Sequence, residues 1–234
     1  MLKYGLYFSL KHFRGDSSMN FLKRPIGVTV TILAVVILAQ LTKFSEAALQ
    51  MGLVYAFLIV AILLHELGHV VFGKFVGYQF HYVTFGPFTI EPRGILWNER
   101  WAAFGGLTRS TPKTTDVKIL AKKHRWYVLG GPVFSYLGMF LAYICAFLFD
   151  NDSLNILALL NLALLIVTAL PLNAPLRTDG RVFLELKKGG EQAEQFVSSV
   201  LLQKWMMSEE QQQNWPVELI EKSKEIPAST GESD

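Results

Sequence analysis

Cysteine is almost missing from this chain of 234 residues: Cys145 stands alone, inside an apolar run. A single cysteine closes no intramolecular disulfide and rules out a Cys-rich zinc site, so any metal must be held by His, Asp or Glu. Charge is also scarce. Asp, Glu, Lys and Arg make up 18% of the residues, where a soluble domain usually carries about 25%. There is no Gly-rich phosphate loop, internal repeat or basic–aromatic stripe, and the net charge is only +3, so a nucleic-acid partner is not expected. What the chain has instead is apolar sequence: 51% hydrophobic residues and a mean hydropathy of +0.32. That balance predicts a polytopic membrane protein embedded in the lipid bilayer.

Four apolar stretches are candidate spans, at roughly 26–41, 51–72, 128–149 and 154–172. The first is short, at the lower limit of about 17 residues for a spanning helix. It starts too late for the core of a signal peptide, and no small-residue cleavage site follows it. In a four-span arrangement, every one of the 22 Lys and Arg residues except Lys43 falls on one side. The positive-inside rule then places both termini in the cytoplasm. The expected location is a cell membrane, that of a bacterium, crossed several times.

Between the second and third spans the pattern changes. Tyr78, Phe80 and Tyr82 alternate with other residues, Gly86-Pro87 interrupts, and Phe88, Ile90, Pro92, Gly94, Trp97 and Trp101 follow. Such alternation with turn residues predicts short strands, and the aromatics suit the membrane interface. The predicted fold class is thus an all-α polytopic membrane protein of about four transmembrane helices, with a small membrane-associated β-rich insertion between the second and third. Residues 1–190 are expected to form the membrane domain and 191–234 a cytoplasmic tail. In that tail Phe196, Val200, Leu201 and Trp205 recur at helical spacing, and residues 226–234 read as disordered.

The second span contains His65-Glu66-Leu67-Gly68-His69. Residues four apart share one helix face, so His65 and His69 can meet a single metal ion. Glu66 lies on the neighbouring face, which suits a general base acting on water at that metal. Gly68 would let another helix or a substrate come close. The pattern is short, but three ionisable groups in an apolar span are expensive and usually functional.

Catalytic zinc normally has three protein ligands and an open position, so a third ligand must come from elsewhere. Asp179, in the segment Pro171-Leu-Asn-Ala-Pro175-Leu-Arg-Thr-Asp179-Gly180, is the best candidate. The prolines break the fourth span there, and Gly180 permits a tight turn. Glu185 is a nearby alternative, although Lys187 and Lys188 suggest a solvated helix, and Asp150 and Asp152 fall on the far side. Of the other histidines, His12 and His124 suit surface positions, and His81 is the remaining outside choice.

Taken in order, these motifs resemble the site-2 protease family of intramembrane metalloproteases, in a form without a PDZ or CBS module. HELGH resembles the family's zinc helix. Gly130-Gly131-Pro132 resembles its GP motif, placed at the start of span three, and LPLNAPLRTDG resembles its late segment with a ligand Asp before Gly. Phe104-Gly105-Gly106-Leu107 resembles the Gly-Gly turn of its β region. The likeness covers roughly residues 50–190. It departs at Ser135 and Thr168, where the family usually has Asn. The resemblance implies one Zn²⁺ per chain on His65, His69 and Asp179, with Glu66 as catalytic base. The substrate it implies is a transmembrane or membrane-bound peptide, cleaved in or near the bilayer, and the expected partners are the lipid bilayer and a regulatory membrane protein of unknown identity. A zinc-containing membrane scaffold without protease activity is the alternative.

Overall fold

A computed structural model of the chain describes residue 21, residues 23–172 and 177–207, and residues 217 and 220. The basic residues Lys3, Lys11, Arg14, Lys222 and Lys224, together with His12, Asn173, Pro175 and the tail 226–234, lie outside the described residues.

The described residues are mostly helical, with one small antiparallel sheet. Helices α1 (Pro25–Ala39) and α2 (Ser45–Phe75) lead into strands β1 (Tyr78–Phe85), β2 (Phe88–Glu91), β3 (Gly94–Trp97) and β4 (Leu107–Pro112). A 3-10 turn at Trp101–Ala103 precedes β4. Then come α3 (Val117–Leu148), α4 (Ser153–Ala169), α5 (Asp179–Lys188) and α6 (Glu191–Met207). The β-rich insertion read from the aromatic alternation is therefore present, between the second and third helices.

At 31 and 32 residues, α2 and α3 are long and apolar enough to cross a membrane. At 1.5 Å per residue they run about 46 and 48 Å. Helices α1 and α4, at 15 and 17 residues, reach only about 22 and 26 Å. Apolar side chains such as Val35, Ile37, Leu38, Phe140, Leu141 and Phe147 point outward. So broad an exposed apolar surface marks a membrane or partner contact.

Two sequence expectations about α3 change. Gly130-Gly131-Pro132 does not open this helix; it lies well inside it. The helix starts instead at Val117, where the Asp116 side chain accepts from the backbone N–H of Ile119 at 2.9 Å, a standard N-cap. The charged stretch after Val117 hid the start, because a search for apolar runs passes over an amphipathic first turn. His124, expected at the surface, is buried, with its Nδ1 2.9 Å from the Tyr78 hydroxyl.

The sheet order is β3-β2-β1-β4. Direct pairing of Thr84 with both Thr89 and Leu107, and of Thr89 with Leu96, puts these residues on one face. Val83, Ile90, Ile95 and Thr108 lie on the other, since strand side chains alternate. Thr89 and Ile90 belong to β2, an interior strand; the edges are β3, exposed along its length, and β4, which packs against α2 and α6.

Helices α5 and α6 dock on α3 and β1 through Leu120, Val128, Val182, Leu186, Val197 and Leu201. Arg109 of β4 also donates to Gln203 of α6. The helix expected around Phe196 to Trp205 is present, and it shares a core with the residues before 190.

Candidate metal centre

His65 and His69 are both buried on α2, one turn apart, with their Nε2 atoms 3.3 Å from each other. Asp179 Oδ2 lies 3.2 Å from His65 Nε2 and 3.4 Å from His69 Nε2. The structure thus brings all three expected ligands together. Asp179 arrives there because α4 stops ahead of Pro171, as helices do before proline, and α5 begins with Thr178 as its N-cap. The Thr178 hydroxyl also donates to the Leu170 carbonyl at 2.6 Å, tying the new helix to the end of the old one. Gly180 is helical and makes no turn. Its part is close approach: a Cβ there would lie 1.8 Å from the Ala169 carbonyl oxygen.

The other nitrogens of the two imidazoles are also held. His69 Nδ1 is 3.0 Å from the Tyr127 backbone carbonyl, and His65 Nδ1 is 2.9 Å from Ser135 Oγ. A carbonyl only accepts, so His69 carries its proton on Nδ1 and turns the Nε2 lone pair toward Asp179 and His65. This is the arrangement in which metal-binding histidines are usually anchored.

Two features of the site fit a metal. The first is the donor triangle, with sides of 3.2, 3.3 and 3.4 Å. A tetrahedron with bonds of about 2.0–2.1 Å has edges of about 3.3–3.4 Å, so the three atoms have the spacing of one face of a tetrahedral zinc site. The second is the space beside them. A Cβ on Gly131 would sit 2.4 Å from His69 Nε2 and 2.6 Å from His65 Nε2, so only glycine leaves the donor face clear. Two imidazoles and a carboxylate form a donor set suited to zinc.

Glu66 is buried on the adjacent face of α2. The Thr108 hydroxyl of β4 donates to its Oε2 at 2.6 Å. Gly106, at φ +112°, lies against Oε1, where a Cβ would come within 2.3 Å. That backbone conformation and that contact both require glycine. The start of β4 therefore orients Glu66, a function the sequence reading did not assign to Thr108 or Gly106. The Gly105-Gly106 pair pointed to this turn, but nothing in the sequence pairs it with Glu66.

The alternative ligands, and Thr168, lie elsewhere. His81 bonds the Thr111 hydroxyl at 2.8 Å, and burial together with the Arg109 charge pushes its pKa down. Asp152 bonds Asn155 at the start of α4. Glu185, expected to be solvated, is buried and paired with Arg181 at 2.8 Å and Arg177 at 3.6 Å. Its helix turns this face toward α3, so the nearby lysines mislead. Thr168 donates to its own helix, at the Leu164 carbonyl.

A cavity of about 420 Å³ opens on the polar face of the sheet, bordered by Arg24, Tyr82, Thr84, Glu91, Trp97 and Leu107. None of the metal-site residues lines it. Leu107 faces this cavity while its neighbour Thr108 faces Glu66, so β4 separates the two spaces. No protein-family model and no curated protein matches this sequence.

Proposed function

We propose that this chain is an intramembrane zinc metalloprotease of the site-2 type, hydrolysing a peptide bond in or near the membrane segment of a membrane protein or membrane-bound peptide. The observation that carries this reading is the His65–His69–Asp179 donor triangle, set beside a buried Glu66 on a helix long and apolar enough to cross a membrane. When bound, zinc supplies Lewis acidity toward the scissile carbonyl and toward water. Glu66 takes the proton of the attacking water and passes it to the leaving amine. Thr108 fixes the Glu66 carboxylate through Oε2 and leaves Oε1 as the proton acceptor. Gly131 keeps the donor face open for the substrate carbonyl.

In this reading all four apolar helices cross the bilayer. The short turns after α1 and α3 then lie on the outer side, and the sheet lies at the cytoplasmic interface. The Lys and Arg distribution supports that orientation. A helical substrate hides its backbone in its own hydrogen bonds and must unwind near the site. The exposed edge strand β3 is the segment available to pair with the unwound stretch. Interior positions Thr89 and Ile90 are not.

Glu66→Gln in the full chain tests the reading. It keeps the side-chain shape and the Thr108 hydrogen bond while removing the base. Membrane-peptide profiles of cells with wild-type and Glu66→Gln protein are expected to differ by the accumulation of uncleaved substrate, with zinc content equal. Identical profiles and phenotypes would favour a zinc-containing membrane scaffold.

A further inference from the structure

Small hydroxyl residues inside helices usually bond the carbonyl four residues earlier. This protein follows that habit. Thr29 donates to the Pro25 carbonyl, Thr31 to Gly27 and Thr168 to Leu164. Ser135 of α3 does not. Its side chain is 0% exposed, and its hydroxyl is turned across the helix interface to His65 Nδ1, at 2.9 Å.

We propose that Ser135 is a positioning residue for the metal ligand His65, its hydroxyl oxygen accepting the hydrogen bond from Nδ1–H and so holding Nε2 toward His69 and Asp179. This rests on the metal reading of the triad. The two histidines are secured differently. His69 is held by the Tyr127 backbone carbonyl, which no side-chain substitution removes. His65 depends on one hydroxyl. Loss of that hydroxyl frees rotation about the His65 Cβ–Cγ bond, and frees the ring to place its proton on the nitrogen that should meet the metal. Such supporting contacts are worth about 10- to 100-fold in metal affinity.

A competing explanation needs no hydroxyl. Gly131, Ser135 and Gly138 form a run of small residues along the buried face of α3, and on this explanation serine serves there only because it is small. The two explanations rank substitutions differently. If size alone matters, Ser135→Ala matches wild type, while Ser135→Thr and Ser135→Val are equally harmful, since they have nearly the same shape. If the hydroxyl matters, Thr binds metal more tightly than both Ala and Val.

The experiment uses the full chain in lipid nanodiscs. Zinc affinity is measured by competition with a chromogenic chelator, and the visible spectrum is recorded after loading with Co²⁺. Ser135→Ala is expected to bind zinc about 10- to 100-fold more weakly than wild type, with an altered Co²⁺ spectrum. Ser135→Thr is expected to stay closer to wild type than Ser135→Val. Wild-type affinity in Ser135→Ala, or equal affinity in the Thr and Val variants, overturns the proposal. Should Ser135→Ala fail to fold, the Thr–Val pair decides alone. A wild-type chain that takes up no zinc overturns the metal reading itself, and this role with it.

Discussion

Two of the seams that helix α2 makes, those with α3 and with α1, are built from different atoms. Toward α3, backbone meets backbone. A Cβ on Gly68 would lie 2.0 Å from the Gly130 carbonyl oxygen, and a Cβ on Gly130 would lie 2.2 Å from that of Gly68. Toward α1, backbone meets side chain. A Cβ on Gly52 would lie 3.1 Å from a methyl group of Val36. The α1 seam is otherwise fixed by the pair of hydroxyls Thr29 and Tyr55, 2.6 Å apart, and much of α1 is exposed. The tight seam carries the site: His65 and His69 lie on one side, and their supports Tyr127, Gly131 and Ser135 on the other. A metal site needs its ligands held to a fraction of an ångström. Contact between two backbones provides that, because neither side has a rotamer to change.

The same substitution on the same helix tests this difference, and its larger effect is at Gly68. In Gly68→Ala the added methyl meets a carbonyl that cannot rotate away, so α2 and α3 must separate. Overpacking usually costs about 1–3 kcal/mol, sometimes more, and a clash with backbone is expected at the upper end. The variant should lose bound zinc as well as thermal stability. Retention of full zinc by Gly68→Ala would mean that the seam adjusts without disturbing the site.

Asp179→Ala separates ligation from packing. Asp179 is at the first turn of α5 with its side chain partly accessible, so the fold should survive its removal. Two imidazoles alone form an incomplete site, and zinc per purified chain is expected to fall toward zero, with cleavage lost. Glu185→Ala is the matched control on the same helix. It leaves Arg177 and Arg181 without a carboxylate, at a cost of about 1–2 kcal/mol after allowance for their partial exposure. It should keep its zinc. Full zinc occupancy in Asp179→Ala would move the third ligand elsewhere.

The contrast between the two seams also explains what could be read in the sequence. His65, His69 and Asp179 were legible because their chemistry is local: a four-residue helical spacing, and an aspartate just after a proline-broken helix. The strands were legible from aromatic alternation. Missed features depended on which elements touch. The run from Val117 to Tyr127 does carry a helical spacing, with Val117, Leu120, Ala121 and Tyr127 behind the capping Asp116, but its charges take it out of any search for long apolar runs. His124 was misplaced for the same reason. Thr108 lies 42 residues from Glu66 and Ser135 lies 70 from His65, and only the fold pairs them. Ser135 stood out as a departure from a motif, but the sequence could not show that its hydroxyl turns toward a histidine. At Gly180 it is the missing side chain that matters, not conformational freedom.

The smallest effect is expected at Gly52. In Gly52→Ala the new methyl meets Val36 Cγ2 at 3.1 Å and Cγ1 at 3.5 Å, closer than is comfortable by a few tenths of an ångström. Valine is stiff about χ1, so relief must come from a slight shift of α1. That shift is available, since α1 is a short helix with one exposed face and no residue of the metal centre. Against the crowding stands a gain, because alanine is favoured over glycine inside a helix by about 0.5–1 kcal/mol in water. The two terms are similar in size and opposite in sign, so the unfolding temperature should barely move, and zinc content and cleavage should match wild type. If Gly52→Ala instead lost zinc as Gly68→Ala is expected to, the α1 seam would be as exacting as the α3 seam. Helix α1 would then belong to the machinery that holds the metal site in place.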